Sequence, residues 1–300
     1  MNQTTSISRE VTELKSYASK GGPMPHEYAS FGKLILNLYN SWSNHEIDKT
    51  EIQSIQEALG QTLNSTTMQG SALRKPFGYA GDFLHIDRLY TNYVSYEAPR
   101  FDAFWHANDA AQAVRNRKAY FKKLLSKWES RNAKVLNVAS GPCRDLLEYI
   151  EENGESSLSI TCLEHDERAI EYAQNLLKQV DHKFQELSFL KANVLKHQEQ
   201  ENYTLIWSAG LFDYFDDETF VLLLSKLYGW LSTEGELVVG NFSPDNQSRP
   251  YMELIGQWFL HHRSKEQLKS LAQKAGISSD NISVDQEPLG VNLFLHITKT

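Results

Sequence analysis

Cysteine is nearly absent: 300 residues carry only Cys143 and Cys162. That excludes a disulfide framework and fits a reducing compartment. Neither cysteine belongs to a CxxC pair, and the ten histidines show no zinc-ligand spacing. The neighbours His261 and His262 cannot both face one side of a helix, so no metal site is expected. Long apolar runs are missing too. None approaches the ~18 residues of a membrane span, and the start, MNQTTSISREVTELKSYAS, has no apolar signal core. A soluble, cytoplasmic protein is expected. Positive charge is in deficit, with 30 Lys and Arg against 38 Asp and Glu for a net charge of −8. That balance counts against nucleic acid or an anionic membrane as partner, since either needs a basic surface.

What is present is ordinary for a folded protein. Hydrophobic residues at 41% and charged residues at 23% exclude disorder, and the length allows one large domain or two. Residues 1–130 read as a helical N-terminal region. HEYASFGKLILNLYNSW places Tyr28, Phe31, Leu34, Ile35, Leu38 and Trp42 on one helix face. Asp48 stands three residues before Glu51, a capping signal, with Ile52, Ile55, Leu59 and Leu63 following. One long amphipathic run is expected over Arg100 to Arg131, burying Phe104, Val114, Phe121, Leu124, Leu125 and Trp128. Between them SALRKPFGYAGDFLHIDRLY reads as a loop broken by Pro76, Gly78 and Gly81.

From residue 131 to 300 strands and helices alternate. KVLNVAS, SLSITCLEH, FQELSFLKANV, YTLIWSAG, ELVVGNF and NLFLHITK read as strands with helices between them. That pattern predicts an α/β, Rossmann-like doubly wound sheet, mostly parallel, with an antiparallel last strand. Ligands of such sheets sit beyond the carboxyl ends of the strands. There Gly141 permits a sharp turn, and Glu164, at the end of the second strand, is placed to accept hydrogen bonds from ribose hydroxyls. Asp166 reads as the cap of the next helix. Asn193 and Val194 could pair with and pack on an adenine, and Gly210 again allows close approach, with Phe212 and Tyr214 as walls. Ala139, Ser140 and Cys143 fill places where a pyrophosphate-binding loop needs glycine, which disfavours a nicotinamide dinucleotide. S-adenosylmethionine has no phosphate and fits better.

Over residues 133 to 299 this ensemble resembles the class I S-adenosylmethionine-dependent methyltransferases. The resemblance implies that Asn137, Gly141 and Glu164 surround the methionine and ribose portions, with Ala139 and His165 in the same cofactor set. It places Asn193 and Val194 at adenine, and Ala209 and Gly210 beside the sulfonium. Asn137 stands where an acidic residue is common. RKPFGYAGDF, ASGPCRD, SAGLFDYF and QWFLHHRS together are similar to a bacterial methyltransferase family that includes hydroxy-fatty-acid methyl ester synthases of quorum sensing. That likeness implies carboxyl methylation of an acyl or hydroxy-acyl acceptor, with residues 1–130 as a lid.

Tyr79, Asp82, Tyr90, Phe212, Tyr214, Trp258, His262 and Arg263 offer an aromatic cage with a few charges, suited to a sulfonium cation. Of these, Tyr79, Asp82, Tyr214, His262 and Arg263 are the catalytic candidates. A carboxylate acceptor needs no base, and Arg263 or Arg249 could hold it bidentately. A hydroxyl or amine on a polar metabolite would need His262, His261, Asp213 or Tyr79 as base. The blander readings are core packing for Trp258 and Phe259 in a helical stretch, inert packing for Cys143, and a helix first turn for Asp216, Asp217 and Glu218. A degenerate fold that binds cofactor or a partner without turnover is the alternative of another class. An exposed helical face in the N-terminal region could support a homodimer.

Overall fold

The computed structural model describes residues 4–131, 133–199 and 202–300. The chain divides into two units, Met1–Gln112 with Gln247–Phe259, and Ala113–Asn246 with Leu260–Thr300. The division therefore falls inside a helix rather than near residue 130, and a short later segment belongs with the N-terminal helices.

The first unit holds α1 (Thr4–Ser19), α2 (Tyr28–Ser43), α3 (Lys49–Leu59), α4 (Met68–Arg74), α5 (Phe83–Tyr90) and α6 (Pro99–Ala107). The capping box at Asp48 forms as its spacing requires: the carboxylate accepts from Thr50 and Glu51 amides, while Glu51 accepts from the Asp48 amide. The segment read as one loop from Ser71 to Tyr90 is mostly helical. Only 75–82 leaves α4 and α5, because Lys75 turns left-handed at φ 50 and Asp82 starts a new helix as its cap.

The second unit takes α7 (Asp109–Glu129) from Ala113 on and β1 (Lys134–Val138), followed by α8 (Arg144–Asn153), β2 (Ser156–Glu164), α9 (Glu167–Leu177) and β3 (Phe184–Lys191). Then come β4 (Tyr203–Ser208), α10 (Asp217–Gly229) and β5 (Leu231–Phe242). After α11 (Arg249–Leu254), which belongs to the first unit, the chain continues through α12 (Lys265–Lys274), β6 (Ile282–Gln286) and β7 (Asn292–Thr298). The long run from Arg100 to Arg131 is two helices, not one. Asn108 is extended at ψ 145 and its side chain donates to the Phe104 carbonyl, which closes α6 before α7 begins.

In the first unit Phe31 is fully buried, with Tyr17, Phe104 and Tyr251 edge-on at 4.9, 4.9 and 6.2 Å. Trp258 is buried, as core packing requires, but Phe259 is half exposed, and neither is helical. α11 stops at Leu254, and Gln257 takes φ 45, so the chain runs on without regular structure to Ser264.

The sheet of the second unit has the order β3-β2-β1-β4-β5-β7-β6. β1 to β5 are parallel, and β7 lies antiparallel between β5 and β6. Side chains alternate between its two covered faces, as the two-residue period of a strand dictates. Val135, Leu205 and Trp207 pack with Phe121, Leu125 and Tyr149 of α7 and α8. Leu136, Val138 and Ile206 pack on the other face with Phe220, Leu224 and Leu268 of α10 and α12. Trp207 stacks on Phe121 at 4.8 Å, 3° from parallel. β6 was not legible beforehand: its five residues are half-buried or exposed and carry no apolar alternation.

The sheet order reverses between β1 and β4. β2 and β3 extend to one side, β5, β7 and β6 to the other. The carboxyl ends of β1 and β4 thus flank the crevice where ligands of this architecture bind.

Candidate functional site

Residues after β1 form a tight loop whose backbone ignores the shortage of glycine. Gly141 is left-handed at φ 57, and so are Ala139 and Cys143, both at φ 53. Each side chain held there costs ~1–2 kcal/mol. The Ala139 amide is tied to the Leu163 carbonyl at 2.8 Å, which helps hold the turn. A Cβ on Gly141 would meet nothing within 4 Å, so the space beside it is open. Asn137, on β1, is 2% exposed, and among the described residues its Nδ2 has no acceptor.

Glu164, ending β2, is the anchored carboxylate of the site. Its Oε1 accepts from the amides of His165 at 2.7 Å and Asp166 at 3.0 Å, and from His165 Nδ1 at 2.9 Å. Its Oε2 accepts from the Gly141 amide at 3.1 Å. Burial works against the charge, but the His165 side chain and the three amides outweigh it, so the carboxyl titrates below its usual range. His165 is itself pushed up by the Glu164 carboxylate, while Asp166 caps α9 through the Arg168 amide.

Glu164 lines a cavity of about 210 Å³ together with Ala139, Leu163, His165, Ala192, Asn193, Val194, Leu195, Leu211 and Phe215. Of the cofactor residues expected there, Ala139, Glu164, His165, Asn193 and Val194 line this one cavity, while Asn137 and Gly141 are not among its walls. Asn193 is exposed and its Oδ1 accepts from the Leu195 amide; Val194 is buried. Ala209 and Gly210 follow β4, and Gly210 lies against the guanidinium of Arg117, where a Cβ would stand 2.8 Å from Nη1. The residues fit the cofactor: an ionised carboxylate for hydroxyls, an apolar slot for a ring, and no row of amides for a pyrophosphate.

The catalytic candidates separate. Asp82 is fully buried and caps α5, accepting from the His85 amide at 2.8 Å, while its Oδ2 has no partner. Tyr79 lies half-buried in the turn before it. Both belong to the first unit, whereas Tyr214, His262 and Arg263 belong to the second. Tyr214 is exposed. His262 uses Nδ1 on the Leu260 carbonyl and Nε2 on Asn246.

Arg263 is not the open clamp expected of it. It is 3% exposed and makes five hydrogen bonds, to Asp217 twice, the Phe212 and Phe215 carbonyls and Asn241, which matches its five N–H groups. Arg249 likewise donates to Glu253 at 2.6 Å, and the Tyr39 hydroxyl donates to the same carboxylate. Two residues escaped the reading of the sequence. His85 is fully buried between Trp105 and Trp258, both ring nitrogens are without partners, and burial lowers its pKa to about 3. Arg117 is the other.

Asp213, just past β4, is 1% exposed and accepts from the Phe242 amide at 2.6 Å. Burial raises its pKa to about 7 against the pull of Arg117 and Arg263. The folded chain then holds a proton that the unfolded chain releases near pH 4. Stability from this group falls as pH rises from about 4 to about 7, by on the order of 4 kcal/mol, and is flat above. Asp213→Asn is expected to lose less melting temperature between pH 5 and pH 8 than the native chain. Parallel losses would show that Asp213 does not titrate in this window.

The two thiols, Cys143 and Cys162, are buried 3.7 Å apart, and contact with Cys162 together with burial pushes the Cys143 thiol well up. Such a thiol is inert packing. Among the described residues no cluster of three or more His, Cys, Asp or Glu could hold a metal ion. Among them, no helix is long and apolar enough to cross a membrane.

Residues 129–276, just under half of the chain, match the model of a family described as a methyltransferase domain. No curated protein matches the chain. A solved protein of Bordetella parapertussis, described as a possible exported protein, is 15% identical with a TM-score of 0.62, covering 100% of this chain and 97% of that one. The magnesium protoporphyrin IX methyltransferase of Synechocystis, solved with bound S-adenosylhomocysteine, is 10% identical with a TM-score of 0.53 over 78% of this chain and 100% of that one. The S-adenosylmethionine-dependent methyltransferase SibL is 14% identical at 0.51, over 80% and 70%. The matched methyltransferase domain and the Rossmann-like sheet order together support an S-adenosylmethionine-dependent methyltransferase.

Proposed function

We propose that this protein methylates the carboxyl group of a small acyl or hydroxy-acyl acceptor. The observation that carries the cofactor half of this reading is the ionised Glu164, fixed in the wall of a cavity shared with Asn193 and Val194. It would take the ribose hydroxyls, Asn193 and Val194 the adenine, and the open side of Gly141 with Asn137 Nδ2 the methionine end. When bound, S-adenosylmethionine supplies a methyl group already activated by its sulfonium. The chain then has to align the acceptor and exclude water.

Support for a carboxylate acceptor comes from the proton-transfer groups. Both ring nitrogens of His262 are occupied, and a carboxylate, ionised at neutral pH, asks for no base. A second reading, methylation of a hydroxyl or amine on a polar metabolite, would call on a base such as Asp213, which follows β4 at the crevice end of the sheet.

Titration calorimetry tests the cofactor. S-adenosylhomocysteine should bind and NAD should not, and no heat with S-adenosylhomocysteine would overturn the reading. For the acceptor, methyl-labelled cofactor is incubated with 3-hydroxyalkanoic acids and with their amides, and products are weighed by mass spectrometry. Label is expected on the acids as esters; label on the hydroxyl of the amides would favour the second reading.

A further inference from the structure

Among the described residues Arg117 is a buried cation with no hydrogen-bond or ion-pair partner. It sits 6% exposed on α7, between Val114 and Phe121 of the helix's buried stripe. Its Nε is fully enclosed with no acceptor, and among the described residues its guanidinium forms no ion pair. Arginine cannot escape this by losing its proton. An uncompensated charge taken out of water costs several kcal/mol, so the position is a poor one unless an anion joins it. Asp145 and Asp213 are close enough to feel it, but neither accepts a hydrogen bond from it. Burial pushes both carboxyls up, to about 6 and about 7, so their compensation at neutral pH is partial.

The position of Arg117 indicates which anion could reach it. The guanidinium rests on Gly210, and any side chain at 210 would collide with Nη1 or displace it. Gly210 follows the strand whose end flanks the crevice, on the cofactor side of the sheet. The charged fork therefore lies against the turn that follows β4, at the crevice end of the sheet.

We propose that Arg117 is a carboxylate-binding residue of this site, its partner arriving with a ligand. This rests on the methyltransferase reading, in which two ligands carry that chemistry: the methionine end of the cofactor and an acid acceptor. A planar fork meets either carboxylate through two parallel N–H···O bonds, and such charge-assisted pairs are the strong ones. The pairing would neutralise a charge that Asp145 and Asp213 balance only in part, so binding and folding are linked.

The test compares Arg117→Met and Arg117→Gln with the native chain by calorimetry and thermal melting. The probes are S-adenosylhomocysteine, methylthioadenosine (which lacks the amino-acid end), 3-hydroxydecanoate and its amide. If the cofactor supplies the anion, both variants lose S-adenosylhomocysteine affinity at least tenfold and keep methylthioadenosine affinity within twofold. If the acceptor supplies it, S-adenosylhomocysteine affinity holds and the native preference for the acid over the amide disappears. Arg117→Met without ligand is expected to melt at or above the native temperature, since an unpaired buried charge has gone. Variants that keep both ligand preferences overturn the assignment, whatever their melting temperature, and the Gln variant decides should the Met variant not fold. A native chain that binds no S-adenosylhomocysteine would instead sink the methyltransferase reading beneath it.

Discussion

Glu164→Ala is expected to weaken S-adenosylhomocysteine binding by about 100-fold or more. Two hydrogen bonds from ribose to an ionised carboxylate are worth ~1.5–3 kcal/mol each, and a tenfold change in affinity needs about 1.4 kcal/mol. The substitution also strips an acceptor from the amides of Gly141, His165 and Asp166 and from the His165 ring. The Gly141 loop then loses one of its ties, so binding suffers through loop position as well as through direct contact. Glu164→Gln separates the two effects. It keeps one oxygen acceptor but loses the charge, and its affinity should fall between the native and alanine chains. Calorimetry at neutral pH reads all three, and native affinity in the alanine variant would remove Glu164 from the cofactor site.

Arg263→Met should reveal itself in stability and hardly at all in acceptor affinity. Its five N–H groups gather the Phe212 and Phe215 carbonyls, Asn241 and Asp217, and the guanidinium lies 4.7 Å over the Phe220 ring. Removing it leaves buried acceptors unsatisfied, and the expected loss is ~3–5 kcal/mol in urea unfolding. Asp217 is well exposed and can turn to water, which keeps the loss from being larger. Arg263→Lys retains the charge over Phe220 but has too few donors, so an intermediate stability is expected. A stable Arg263→Met chain with a weakened acceptor KM would restore the clamp that the sequence suggested.

The α/β half was legible because its signals are local. A doubly covered strand such as β1 is buried from Val135 to Val138 with Asn137 its one polar residue there, and Asp48, Asp166 and Asp216 each announce a helix through their caps. Glu164 was legible as the residue that ends the second strand, 23 positions after Gly141. Sparse glycine was a poor guide to the first loop, since Ala139 and Cys143 adopt the glycine conformation under the constraint of their neighbours. Arg263 misled because the sequence shows a cation but not the carbonyls folded around it. Arg117 did have a signal: it interrupts the stripe Val114, Phe121, Leu124, Leu125 and Trp128, where a charge has no place unless it is used. β6 had none, being short and largely at the surface.

α7 also works as a measuring rod. At its far end Glu129 accepts from the Tyr149 hydroxyl and the Ser156 and Ser157 groups at the start of β2, and Trp128 donates to Glu236. From that clamp to Arg117 is roughly 18 Å of helix at 1.5 Å per residue. β1, beside it, climbs about 17 Å over its five residues. Helix and strand therefore count out the same height from one rim of the sheet to the other, in units of different size. One residue added to α7 between these points would turn Arg117 by about 100° and set it facing another direction. The gauge admits no fine adjustment, so the length of this helix is as much a part of the site as any side chain in it.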